Sequence, residues 1–164
     1  MTVPVTRTNI NSWFNQHTGY RARYRAAGAI QITWDYAYQA FATFKIRELY
    51  PHLGIVWRSP TDTGDDVLAR LYNTAVNTAE SHGYNVDAYK RIVTEGAEYV
   101  AFQFTWEGAT YYWNAHGLNN TADTLSDNSV RAVSMIVNSR LNDTAFQTRD
   151  VAYRNWMNNF IPFQ

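Results

Sequence analysis

The stretch Tyr24-Arg25-Ala26-Ala27-Gly28-Ala29-Ile30-Gln31-Ile32-Thr33-Trp34-Asp35-Tyr36-Ala37-Tyr38-Gln39-Ala40-Phe41 decides how the rest of the chain is read. Small uncharged residues, Ala26 to Ala29, lead into Ile30-Gln31-Ile32-Thr33-Trp34, where apolar and polar residues alternate. Alternation of this kind predicts a short strand with Ile30, Ile32 and Trp34 on one face and Gln31 and Thr33 on the other. Two neutral hydrogen-bonding side chains on an exposed face suit a neutral, hydroxyl-rich ligand, and Trp34, Tyr36 and Tyr38 stand close by in the sequence. A sugar is the first ligand this suggests. The same pattern also describes a strand whose polar face meets only water.

Outward from this stretch the periodicity turns helical. Tyr38, Phe41, Phe44 or Ala42, Ile46 and Leu49 fall close to helical spacing over 36–50, and Pro51 ends that helix. A second helix is predicted over 65–82 with Val67, Leu68, Leu71, Ala75 and Ala79 inward, stopped by Gly83. His82 near its end suits the helix dipole better than a ligand role. A shorter helical piece follows over 85–93. The most apolar segment, 95–115, reads as one central buried helix carrying Tyr99, Phe102, Phe104, Tyr112 and Trp113, with Glu107 internal. Gly117 closes it, and Leu118-Asn119-Asn120-Thr121 reads as a loop. Val130, Val133, Ile136 and Val137 face inward on a helix over 129–138. A last helix opens at Asp143 or Thr144 and runs to Phe160, with Phe146, Val151, Ala152, Trp156 and Phe160 packed.

Before the stretch, 1–8 reads as an extended arm. Asn9 or Asn11 caps a brief helix with Ile10, Trp13 and Phe14 on one side, and 15–19 is a turn. Arg21, Arg23 and Arg25 form a solvated edge or meet acidic groups of a ligand. The fold class expected is mainly α, with one small β-hairpin or strand, in a single domain over 1–164.

Composition narrows the function classes. Lys plus Arg equals Asp plus Glu at 14 each, so no strong field favours nucleic acid or an anionic membrane. Twelve tyrosines and six tryptophans can line a carbohydrate cleft, but they also fill ordinary cores. Cysteine is absent, so there is no disulfide framework, thiolate zinc site or thiol nucleophile. His17, His52, His82 and His116 lack metal-ligand spacing, no phosphate loop or serine elbow occurs, and no cofactor is expected. No signal peptide and no membrane span are read from the sequence.

Ala27-Gly28-Ala29-Ile30-Gln31-Ile32-Thr33-Trp34-Asp35-Tyr36-Ala37-Tyr38 resembles the Gly-Arg-Gly-Pro-Ile-Gln-Leu-Ser-Trp-Asn-Tyr-Asn-Tyr strand of the class I chitinases. It is closer still to the Tyr-Arg-Gly-Ala-Gly-Tyr-Ile-Gln-Leu-Thr-Trp form of phage and bacterial wall-lytic relatives. Two later stretches fit the same family: Glu95-Gly96-Ala97-Glu98-Tyr99-Val100-Ala101 through Tyr112-Trp113, and Ser129-Val130-Arg131-Ala132-Val133 through Val137-Asn138. The resemblance implies a lysozyme-like α+β fold and the glycan strands of peptidoglycan, or chitin, as ligand. It also implies a phage virion, or release into a host cell, as the place of action.

By that resemblance Gln31 and Thr33 bond sugar hydroxyls and amides, and Tyr36 matches the tyrosine after the strand's tryptophan. Asn138 falls on the Asn of an Ile-Val-Asn-Gly-Gly-like segment that reaches into the cleft, and Arg149 on an Arg before a tyrosine. All five would line one cleft. Ala37 stands where the family has a substrate-binding Asn, and Ser139-Arg140 where it has Gly-Gly.

Glycoside hydrolysis generally needs two carboxyl groups flanking the scissile bond, one of them a general acid of raised pKa. The family carries its acid in an upstream His-Glu-Thr or His-Glu-Ser segment. Residues 1–34 contain no Asp or Glu, and His17-Thr18-Gly19-Tyr20 resembles that segment without its Glu. Asp35 is the carboxylate nearest the strand but matches a structural Asn, while Glu98 and Glu107 read as structural acids and Asp62, Asp65 and Asp66 as loop and capping residues. Catalytic residues are therefore not assigned. Two functions stay open: a wall-glycan hydrolase whose acid comes from another segment or chain, and a non-enzymatic glycan-binding or structural virion protein of the same descent. A third reading takes the stretch as ordinary core of an unrelated helical protein.

Overall fold

The computed structural model describes residues 23–57, 65–123, 129–138 and 142–160, without the side chains of Asp65, Ser129, Trp156, Met157 and Phe160. Expectations for 1–22, for the 59–64 loop, for Ser139-Arg140, and for the packing of Trp156 and Phe160 lie outside the described residues. Of the described residues, 74% are helical, which places the chain in the mainly α class. It divides into two units, Met1–Tyr112 and Trp113–Gln164.

In the first unit α1 (Asp35–Leu49) packs against α2 (Asp65–Ser81) and α3 (Asp87–Thr94). The face of α1 formed by Tyr38, Phe41, Ala42 and Ile46 is fully buried, while Leu49, expected inward, is 52% exposed. On α2 the buried positions Leu68, Ala75, Val76 and Ala79, with half-buried Tyr72 between, make one stripe at helical spacing. Ile46, Ile55, Ala75, Val76, Ala79 and Val86 form the aliphatic core, ringed by Tyr50, Leu53, Tyr72, Tyr84 and Tyr89. Each Ile or Val of this core contributes about 1.5–3 kcal/mol on full burial.

The stop signals act as read. Pro51 opens a short 3-10 turn, Pro51–Leu53, directly after α1. At the end of α2, Gly83 (φ 79°) lets its own amide reach the Glu80 carbonyl and the Tyr84 amide reach the Ala79 carbonyl at 3.0 Å. This pair of bonds is the Schellman closure of a helix. Tyr84 then stacks on Tyr50 with ring centroids 4.3 Å apart, and its hydroxyl meets His52 Nε2 at 2.8 Å.

The expected single helix over 95–115 is instead two: α4 (Ala97–Gln103) and α5 (Glu107–Ala115). Gly96 (φ 66°) starts α4, and Phe104 leaves helical geometry at φ −134°. Nor is the segment buried throughout, since Phe102 is 83% and Trp106 72% exposed. Glu107, expected internal, is exposed as well. Phe104 and Tyr111 turn inward and meet Phe41, with ring centroids at 5.8 and 5.3 Å. Phe44 and Trp57 complete this aromatic cluster around Tyr111.

The second unit carries α6 (Leu118–Ala122), α7 (Ser129–Val137) and α8 (Asp143–Phe160), after the last residues of α5. Leu118-Asn119-Asn120-Thr121, expected as loop, is helix α6: Gly117 (φ 59°) turns the chain and Leu118 is fully buried. α7 packs on both α6 and α8. Ile136 and Val151, expected inward, are 37% and 57% exposed. Ala152, also expected to pack, is exposed, while Val130, Val133, Val137 and Phe146 are half-buried.

Candidate functional site

The expected strand over 30–34 is a tight turn. Ala27 and Ile32 form one isolated antiparallel bridge, exchanging both backbone bonds at 3.1 and 2.9 Å, and Gln31 N donates to Gly28 O at 3.2 Å inside it. The four residues between the bridge partners cannot continue a ladder, because Gly28 (φ 71°) and Gln31 (φ 60°) both have left-handed backbone. The alternation was real but had another cause. Ile32, 4% exposed, points into the protein while Gln31 points out from the turn.

Three anchors fix this turn. Ala29 N donates to Thr105 O at 2.9 Å, in the break between α4 and α5. Gly28 lies so close to that carbonyl that a Cβ would come within 3.1 Å of the oxygen. Ile32 Cδ1 fills the space where a side chain on Gly108 would begin, 2.9 Å from the ideal Cβ position. The Tyr38 hydroxyl shares its proton between the carbonyls of Arg25 (2.6 Å) and Ile32 (3.1 Å), tying both flanks of the turn to α1. Burial pushes that phenol well above its usual range, with the Arg25 charge opposing and Tyr24 adding to the shift. Tyr38 therefore stays a neutral donor at any physiological pH. Trp34 leads into α1 with φ 75° and ψ 144°, a region that side-chain-bearing residues rarely adopt. Its amide donates to Tyr24 O at 3.2 Å, and its carbonyl accepts from Ala37 and Tyr38.

What the turn offers outward is neutral. Gln31 is exposed. Thr33 donates its hydroxyl proton to Gln31 O at 2.9 Å, which leaves its oxygen lone pairs to accept from a ligand. Tyr36 is half-buried in the first turn of α1, where its amide donates to Asp35 Oδ1 at 2.9 Å. Gln31, Thr33 and Tyr36 thus belong to the first unit. Asn138 and Arg149 belong to the second, both exposed: Asn138 follows the last turn of α7, and Arg149 stands on α8. Arg149 forms no ion pair among the described residues, since Asp150 is taken by Arg154 at 2.8 Å and Asp143 by Arg131 at 3.5 Å. The second unit also holds a pocket of about 230 Å³ lined by Trp113, Ala122, Val130, Val133, Ser134 and Tyr153, with neither Asn138 nor Arg149 in its wall.

Carboxylates are a different matter. Among the described residues none is buried, and Asp35 and Asp150 alone are even half-buried. Glu98 and Glu107 both face solvent. A carboxyl group kept protonated for acid catalysis needs an apolar enclosure, and these positions do not provide one. No group of three His, Cys, Asp or Glu able to hold a metal occurs among the described residues. No described helix is long and apolar enough to cross a membrane.

Sequence reading missed two residues of this site. Tyr38 was expected inward on α1, but its role as clamp of the turn has no sequence signal. Trp106 was absorbed into a supposed buried helix, although its polar neighbours Thr105 and Glu107, followed by Gly108, mark a break. Comparison with protein-family models, with curated proteins and with solved structures finds no match.

Proposed function

We propose that this chain is a glycan-binding protein of lysozyme-like descent that holds peptidoglycan or chitin strands through the turn closed by Ala27 and Ile32. The observation that carries the reading is the exposed Gln31 amide, held in left-handed backbone at the tip of a turn anchored by Thr105, Gly108 and Tyr38. Such an arrangement is pre-organised, so little ordering entropy opposes binding. Neutral donors and acceptors suit sugar hydroxyls and acetamides, and the balanced net charge gives no attraction to polyanions. The resemblance of Gln31, Thr33 and Tyr36 to the sugar-holding residues of class I chitinases and wall-lytic relatives supports the same ligand. The same resemblance offers Asn138 and Arg149, exposed on the second unit, as further sugar-contacting residues.

Binding is favoured over hydrolysis by this chain. General acid assistance contributes typically about 10²–10⁴-fold, and the described carboxylates stand in solvent or, like half-buried Asp35 and Asp150, are held by a backbone amide or an arginine. Gln31 and Thr33 cannot replace an acid, because neither releases a proton at physiological pH. Hydrolysis would then need a carboxyl group from another segment or chain that completes the active site. The setting proposed is a phage virion or its release into the host. The test is turbidity loss of wall suspensions beside pull-down on insoluble wall material, with Gln31→Ala and Asp35→Asn variants. Retention without lysis, weakened by Gln31→Ala, is expected. Robust lysis abolished by Asp35→Asn in a folded protein would make the chain a hydrolase.

A further inference from the structure

Trp106 is 72% exposed, an unusual position for the residue with the largest apolar surface to withdraw from water. It stands between the two residues that anchor the candidate turn: Thr105, whose carbonyl holds Ala29, and Gly108, against which Ile32 packs. Its own backbone is fixed too, because the Trp106 carbonyl accepts both the amide (3.0 Å) and the hydroxyl (3.2 Å) of Thr110. Thr105 is held by its hydroxyl bond to the Ala101 carbonyl. The turn that carries exposed Gln31 and the break that carries exposed Trp106 are therefore joined by the bond from Ala29 N to Thr105 O.

We propose that Trp106 is a stacking platform for one sugar ring of the glycan that Gln31 holds by hydrogen bonds, an inference that rests on the glycan-binding reading above. The surroundings of the indole select this ligand class. Along the chain after the indole, Glu107 and Thr110 are exposed and polar, and Thr105 before it is half-exposed. A nucleobase could stack on the ring, but its phosphates would face the Glu107 carboxylate with no net positive charge on the chain to offset it. A pyranose has what the site complements, an apolar C–H face against the ring and neutral hydroxyls or acetamides at its edge. Phe102, 83% exposed on α4, serves as the comparison: it is apolar and exposed but lies outside the 105–108 break.

The experiment is titration of the full chain with an N-acetylglucosamine oligomer, followed through the tryptophan indole N–H resonances. The Trp106 signal is the one that disappears in Trp106→Ala. It should shift on titration, whereas the signal of half-buried Trp57 should not. Affinity should fall about tenfold in Trp106→Ala, recover largely in Trp106→Phe, and stay unchanged in Phe102→Ala. Binding that Gln31→Ala weakens but Trp106→Ala leaves intact would overturn the platform and spare the glycan-binding reading. Absence of binding by the unaltered chain would overturn both. Weakening by Phe102→Ala equal to that by Trp106→Ala would also overturn it, since any exposed ring would then serve.

Discussion

The amide of Ala29 donates to the carbonyl of Thr105 at 2.9 Å, joining the turn before α1 to the break between α4 and α5. That single bond explains two features at once. It gives the turn a fixed neighbour, and it takes a carbonyl at the place where the apolar segment 95–115 stops being one helix. Both the candidate binding residue Gln31 and the exposed Trp106 inherit their positions from it.

Among the described glycines the tightest approach is at Gly96, where a Cβ would lie 2.1 Å from the Arg23 carbonyl oxygen and φ is +66°. Gly96→Ala should lose about 3 kcal/mol, the sum of left-handed strain and a backbone that must shift. Gly54 has φ +60° but open space around it, so Gly54→Ala should lose only about 1 kcal/mol. Urea midpoints of the two variants check this, and equal losses would mean that packing at Gly96 is looser than described.

Removing the Tyr38 hydroxyl should loosen the turn without emptying the core. Tyr38→Phe leaves the Arg25 carbonyl without this donor, while Ile32 O still accepts from Ala27 N. The expected cost is about 1–2 kcal/mol, with faster hydrogen exchange at the Ile32 and Ala27 amides than on α2. Uniform change across the chain would argue against a local clamp.

Tyr111 presents the opposite case. Its ring is 1% exposed among Phe41, Phe44 and Trp57, and its hydroxyl is buried with no hydrogen-bond partner among the described residues. Tyr111→Phe should therefore raise stability by about 1 kcal/mol, because an unmet polar group leaves the core. Burial also pushes the Tyr111 phenol above its ordinary value, as it does for Tyr38. The sign follows from which form is charged. Unfolded tyrosine ionises near pH 10, while the folded state resists losing the proton, so this stability is fully present below about pH 10 and is lost as pH rises beyond it. Unfolding midpoints between neutral and strongly alkaline pH should fall on the alkaline side, less steeply in Tyr111→Phe.

Much of the fold was legible because helical period and stop residues are local. Leu68, Ala75 and Ala79 declared the inward stripe of α2, and Pro51 and Gly83 ended helices where expected. The turn was not legible, since a period of two over five residues arises equally from a strand and from Ile32 inserting beside an outward Gln31. Nor could composition tell which aromatics face a ligand. Tyr38 and Tyr111 are core, and the most exposed tryptophan described, Trp106, lay in the segment that looked most apolar. Each of these outcomes depends on contacts between residues far apart in sequence, such as Ala29 with Thr105. For the candidate site, Gln31 and Thr33 were legible as outward polar residues, while the clamp and the indole were not.

The most direct test of the account is the backbone amide spectrum of residues 27–34 during titration with an N-acetylglucosamine oligomer. Saturable shifts concentrated at Gln31, Thr33 and their neighbours are expected, with the shifts abolished in Gln31→Ala while α2 amides stay unmoved. Shifts absent from the turn but present around Trp113, Val133 and Tyr153 would contradict it and move the ligand to the pocket of the second unit.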